Sequence, residues 1–510
     1  MYYPNKKEYL DKAASYNLIP VHKKYIVDTE TPTTIFLKAS EPEKEMFLLE
    51  SIEGAKRLSR YSFIGVNNEK TIKYKDGVFS LEENGEAIIR NKSEHPLLEL
   101  EKVIGQYRIY KDPELNHFTG GAVGYLGYDL VKYFDNIVLP ENSLSIPEML
   151  LFLTDTIIVF DHLLNTVKII ASVKISRDIS PEKAYDISIE KIKDLEEKIF
   201  NNKDNNKENK IYSNITDVNG SSSNLNAGVI SNINDIKEFD LSSNFTKDVF
   251  LDSVERAKKY IMEGEVFQLV LSQRFESLNQ KRPFDIYRAL RILNPSPYMY
   301  YFNFRNFQII GSSPEPLIKI TGRKILTCPI AGTRRRGLNP KEDIRLINDL
   351  LNDKKEKAEH NMLVDLSRND LGRICVYGSV KLKRYMKIEK YSHVIHMVSR
   401  VEGLLQKSKT IYDALKSTFP AGTLTGAPKI RAMQLISQLE PDRRGLYGGI
   451  IGYFGYDGSL DSCITIRTAL VKEEKIYIQA GAGIVYDSVP ENEWGETVNK
   501  AAALFKAVVI

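Results

Sequence analysis

The chain has 510 residues, 42% hydrophobic and 27% charged, with a formal net charge of +4. That length exceeds what one hydrophobic core serves, so two or more domains are expected. Scattered, nearly balanced charge argues against nucleic acid as a partner, and the lack of any apolar run of about 18 residues argues against a helical membrane span.

The N-terminus, Met1 to Glu8, has no apolar h-region and does not read as a signal peptide. Cys328, Cys375 and Cys463 lie far apart with no CxxC pair; they read as buried thiols of a reducing compartment, the cytoplasm. Strand-like runs follow at Thr33–Leu37, Met46–Glu50, Thr71–Tyr74, Thr156–Phe160 and Val167–Val173, and Pro181 to Phe200 has helical periodicity. Residues 201–244 are rich in Asn, Ser and Lys and poor in aromatics, the composition of a linker or insertion. They divide an N-terminal domain, 1–200, from a C-terminal one, 245–510. Beyond them come strands at Val266–Phe275, Gln308–Ser312, Leu317–Thr321 and Ile476–Ala480, and one long helix from Lys341 to about Ser367. Strands in runs with interspersed helices, rather than strict βαβ alternation, predict an α+β fold with sheets packed against helices. Gly120 to Asp129 (GGAVGYLGYD) echoes Gly448 to Asp457 (GGIIGYFGYD). The pair predicts two strand segments in similar sheets, and neither has the spacing of a dinucleotide site.

Five features could carry chemistry. Glu356 and Glu359 are three apart on one predicted helix, and Glu493 and Glu496 on another, with Lys500 a turn further on. Such pairs ordinarily face solvent; brought together they would suit Mg²⁺, which takes a few carboxylates plus water and substrate oxygens. Ser488 with Glu491 fits a capping box, with Pro490 in the first turn. Phe419 to Arg431 is a glycine-threonine turn entering a helix near Pro428, a favourable place for an anion. Gln479 to Ile484 reads as a second glycine turn, and Arg467 could pair with a carboxylate. Of His393 and His396, three apart in a strand, at most one faces a given pocket, and a structural role is the default for either.

Taken together, these residues resemble the chorismate-utilising enzymes, and within them the anthranilate synthase large subunits. The resemblance rests on Pro329 to Thr333 (PIAGT), Ala358 to Asp370 (AEHNMLVDLSRND), Pro420 to Lys429 and Gln479 to Pro490. It spans nearly the whole chain, is looser before Asn201 and is absent from the linker. It implies a chorismate-binding catalytic domain with Mg²⁺ ligated by Glu359 and Glu496 and assisted by Glu356 and Glu493. Gly332, Thr333, Thr423, Tyr447, Arg467, Gly481, Ala482, Gly483 and Lys500 would hold the substrate. Glu315 would protonate the leaving hydroxyl, and His396 would serve the later elimination of pyruvate.

Two positions sort the relatives. Water-adding members carry a lysine base where this chain has Gln268, and most aminodeoxychorismate synthases carry a nucleophilic lysine where it has Ala331. The resemblance thus implies conversion of chorismate and ammonia to anthranilate and pyruvate, the first step of tryptophan synthesis. The alternatives are an aminodeoxychorismate synthase-like enzyme and a non-catalytic tryptophan-binding regulatory homologue.

Leu48 to Ser51 and Asn294 to Tyr300 resemble the family's tryptophan feedback site. Ser51, Pro297, Tyr298 and Met299 would contact the inhibitor, with Glu50 near its amino group and Arg60 and Tyr453 nearby. Read alone, the first stretch is a strand end and the second a proline-rich turn. No glutamine amidotransferase domain is expected in the chain, so the resemblance implies ammonia from a separate glutaminase subunit, in an assembly of two large and two small subunits, or from free ammonium.

Overall fold

The computed structural model describes residues 1–52, 60–201, 241–391 and 394–509. Two twelve-stranded sheets lie face to face, and each draws strands from both sides of the 201–244 segment. In the first, Met46–Glu50 pairs antiparallel with Tyr298–Asn303. In the second, Gly121–Leu126 pairs antiparallel with Ile450–Gly455. The two echoed motifs are therefore neighbouring strands, with Gly124 directly opposite Gly452.

Strand alternation builds the layers. Met46 and Leu48 point into a helix-covered cluster, while Phe47 joins an aromatic seam between the sheets. There Phe47 stacks 6.2 Å from Phe152 and 5.9 Å from Phe302. Burying each such ring contributes roughly 1.5–3 kcal/mol. Outside the first sheet, Tyr9, Phe36, Ile192, Tyr287 and Phe505 bring in helices from both ends of the chain. Outside the second, Leu100, Leu371, Leu415 and Met433 do the same.

The predicted α+β class, sheets packed against helices, describes this architecture. Most predicted strands lie where the sequence pattern puts them, but four local readings are corrected. Thr33–Leu37 belongs to a helix, Pro32–Ala39, capped by Thr31 and started by Pro32. Those caps outweigh the β-branched composition. The long helix is two, Pro340–Asn352 and Lys354–Gly372. Asp353 breaks it in extended conformation (φ −68°, ψ 112°) and accepts hydrogen bonds from the N–H groups of Lys355 and Glu356. The glycines after Gln479 form no turn; they lie inside the strand Lys475–Ile484. The helix Pro490–Val509 begins at its proline, but the Ser488 hydroxyl accepts from Val485 N (3.1 Å) and bonds Glu493 rather than Glu491. No helix among the described residues is long and apolar enough to cross a membrane.

Candidate active site and a second cavity

Glu315 follows the strand Gln308–Ser313 at a point where the chain is pinned on both sides. Ile464 N donates to the Glu315 carbonyl (2.9 Å), and Ser313 Oγ donates to Ile464 O (2.7 Å). The side chain is buried, with Thr423 Oγ1 donating to its Oε1 at 3.1 Å. Burial pushes the carboxyl up to about 8, opposed only by the Thr423 hydrogen bond. At neutral pH it favours the protonated acid, and Thr423, on the turn Gly422–Leu424, is the one polar side chain among the described residues that bonds this carboxyl.

The strand Ile330–Arg335 pairs with Val394–Leu404, with a register shift between Ala331 and Thr333. Gly332 supplies the positive φ (+77°) that this bulge requires. Thr333 lies opposite His396, and its Oγ1 pairs with His396 Nδ1 at 3.0 Å. Burial and then the nearby Arg467 guanidinium hold this imidazole down at about 4, so it is neutral at physiological pH. His393 lies outside the described residues.

Arg467 has φ +49°, a conformation few non-glycine residues adopt. Its guanidinium donates to Asn294 Oδ1 (3.3 Å), and no ion pair with a carboxylate of the described residues engages it. It lines an open recess together with Glu496 and Lys500.

Gly481, Ala482 and Gly483 stand opposite Ser272, Leu271 and Val270. A Cβ on Gly481 would lie 2.7 Å from the Tyr447 hydroxyl, and one on Gly483 would lie 2.6 Å from Gln268 Nε2. The two glycines thus let those side chains lie against the strand. Gln268 Oε1 is buried without a hydrogen-bond partner, and Lys500 Nζ donates to Gly481 O at 2.9 Å.

The four glutamates come from two helices, Lys354–Gly372 and Pro490–Val509, close enough for the charge of Glu496 to act on Glu359. Glu356 accepts from Arg334 (2.9 Å), and Glu496 pairs with Lys500 (2.6 Å). Burial raises the Glu359 carboxyl, Lys355 opposes the rise, and the charges of Glu356 and Glu496 add to it. Burial likewise raises Glu493, with Glu496 again contributing. Among the described residues, no three acidic, histidine or cysteine side chains form a ready-made metal cage. The donor set is nonetheless all oxygen, and its mutual repulsion is what a hard divalent cation would offset. Arg334, which also binds Asp349 and Asp353, escaped the sequence reading; the run Arg334-Arg335-Arg336 was its signal.

A separate cavity of about 660 Å³ is lined by Glu50, Ser51, Arg60, Pro297, Tyr298, Met299 and Tyr453. Glu50 is paired across the sheet with Met299. Its carboxylate accepts from the Tyr287 hydroxyl and from Arg291 Nε (3.1 Å). Tyr298 donates to Asp461 (2.9 Å).

Comparison with known proteins places this geometry. A family described as chorismate binding enzyme matches residues 44–506. The chain is 44% identical over 510 residues to anthranilate synthase component 1 of Acetivibrio thermocellus, covering 100% of this chain and 99% of the relative. It is also 44% identical over 499 residues to the Aquifex aeolicus protein of the same name, covering 97% and 96%. The crystal structure of anthranilate synthase component I from Streptococcus pneumoniae superposes with a TM-score of 0.72 at 37% identity, covering 89% of this chain and 93% of that one.

Proposed function

The chain belongs to the chorismate-binding enzymes, and on that premise we propose that it is an anthranilate synthase large subunit. It converts chorismate and ammonia into anthranilate, pyruvate and water, the first step of tryptophan synthesis. The observation that carries this reading is a protonated, buried acid, Glu315, in a site whose Gln268 position offers an amide rather than a basic lysine. An amide cannot deprotonate water, so the nucleophile must arrive already competent, as ammonia is.

The residues divide the work. Arg467 meets a carboxylate of chorismate, and Tyr447, Thr333 and the Gly481–Gly483 strand bound its ring. Glu359 and Glu496, with Glu356 and Glu493 behind them, would hold Mg²⁺, which when bound supplies positive charge at the ring carboxylate. Ammonia adds at ring C2 while Glu315 gives its proton to the departing C4 hydroxyl, which leaves as water; the added nitrogen then sheds its surplus proton, which restores the acid. In the second half the neutral His396 accepts the C2 proton, the C3–O bond breaks with its electron pair on oxygen, the ring becomes aromatic, and the released enolpyruvate takes up a proton to become pyruvate.

Ammonia is delivered by a separate glutaminase subunit, in an assembly of two large and two small subunits in the cytoplasm. Tryptophan occupies the 660 Å³ cavity as feedback inhibitor. The test is an assay of the purified chain with chorismate, Mg²⁺ and ammonium, followed by product fluorescence and mass. Anthranilate is expected; aminodeoxychorismate, or no product, would reject the reading. Glu359→Gln should abolish turnover, and a variant with normal rate and Mg²⁺ dependence would sink the metal assignment.

A further inference from the structure

Beneath the proposed site lies an ion pair that none of the foregoing steps uses. Arg444 and Glu440 are buried, with side-chain exposures of 1% and 3%. Arg444 Nε and Nη2 donate to the two carboxylate oxygens of Glu440 at 2.8 and 2.7 Å. The rest of the fork reaches outward: Nη1 donates to Leu424 O (2.6 Å) and Nη2 to Val270 O (2.8 Å). The guanidinium carbon stands 5.4 Å from the Tyr447 ring centroid and 4.8 Å from that of Tyr128. Glu440 Oε1 accepts from both the backbone N and the hydroxyl of Ser272, at 2.8 Å each.

These bonds end on elements that carry proposed site residues. Leu424 follows Thr423, which hydrogen-bonds Glu315. Val270 lies two residues from Gln268 and opposite Gly483. Tyr447 touches Gly481. A buried ion pair is a poor way to gain stability, because desolvation offsets much of the attraction and apolar residues of similar volume often serve as well. What an apolar pair cannot do is tie two separate backbone elements, the turn at Leu424 and the strand at Val270, to one point while packing on the Tyr447 ring, which the planar five-donor fork does.

We propose that the Arg444–Glu440 pair is a positioning device for the reaction, setting Thr423 against Glu315 and Tyr447 against the glycine strand. This rests on the reading of the chain as a chorismate-converting enzyme. Neither residue handles the reacting atoms; the pair acts through Thr423 and Tyr447.

The test compares wild type with Arg444→Lys, which keeps the charge but loses the fork, and with the apolar double variant Arg444→Met/Glu440→Leu. Fold is checked by circular dichroism, and rates are referred to free ammonia so that ammonium titration does not intrude. The groups around Glu315 are Thr423, the Cys328 thiol and Asp370, the last held by Lys429. Burial pushes the thiol up to about 12, well above the range of interest. Losing the Thr423 bond removes the interaction that favours ionised Glu315, so the alkaline limb of kcat should move to higher pH.

We expect kcat to fall at least tenfold in the double variant and severalfold in Arg444→Lys, each with that upward shift. A folded variant with kcat within twofold of wild type overturns the proposal, and so does a loss of rate with the limb unmoved, which marks a merely structural role. If the double variant does not fold, Arg444→Lys decides by the same criteria. Wild-type protein that makes no anthranilate would reject the parent reading instead.

Discussion

Glu315 shows how far one side chain's chemistry follows from its surroundings. Burial pushes the Glu315 carboxyl up to about 8, so near neutral pH the folded state favours a proton that the unfolded chain releases near 4.5. The sign of the stability effect follows. Across that window the native state binds more protons, so stability falls as pH rises from 4.5 towards 8. Glu315→Gln removes both the acid and this dependence. We expect its kcat to drop about 10²–10⁴-fold, while its thermal midpoint exceeds that of wild type under alkaline conditions and converges with it under acidic ones. Parallel melting curves and rates across pH would check both, and a variant that loses activity without this crossover would mean that Glu315 is ionised in the native state. The sequence named Glu315 through its family motif, but nothing in Ser312 to Leu317 announces the burial that makes it an acid. Around it in the fold stand Cys328 and, from more than a hundred residues further on, Thr423 and Ile464.

At the scale of elements, legibility depended on whether the signal was local. The strand Met46–Glu50 and the helix after Ser180 carry their periodicity in consecutive residues and form as read. The two helices inside Lys341–Ser367 share a periodicity, and only the cap divides them. Asp353, with Glu356 three residues on, is the pattern that could have revealed the break. The break matters because it starts the helix that carries Glu356 and Glu359 at a fixed point, held by Asp353 both to the helix N–H groups and to Arg334 (2.8 Å). Asp353→Ala should cost about 0.5–2 kcal/mol of stability. It should also raise the Mg²⁺ concentration needed for half-maximal rate severalfold, with kcat at saturating Mg²⁺ nearly retained. A Mg²⁺ titration of the variant checks this, and an unchanged half-saturation would separate the cap from the carboxylates it positions.

Over the whole molecule, sheet order was the part least available from the sequence. No local pattern says that Met46–Glu50 pairs with Tyr298–Asn303, roughly 250 residues away, although the echoed glycine motifs did mark two strands that turn out to be partners. That long-range pairing creates the 660 Å³ cavity, whose walls come from both sides of the 201–244 segment. It also gives the cavity and the acid a shared element. The strand Leu460–Ile464 reaches the cavity through Asp461, bonded to Tyr298, and reaches Glu315 through Ile464. A ligand that holds Tyr298 therefore bears on the strand that holds the acid, and inhibition from this cavity would require that contact to differ between an active and an inhibited state. Ser51 lines the cavity between two fixed neighbours: Ile52 N donates to Ser296 O (3.2 Å), and Glu50 pairs with Met299. Ser51→Phe should fill part of that cavity without entering the catalytic recess. Tryptophan inhibition is then expected to weaken at least tenfold while kcat stays within about twofold of wild type. Calorimetric titration with tryptophan beside the inhibition curve tells lost binding from lost coupling, and a variant still inhibited as wild type is would remove the cavity from consideration as the feedback site.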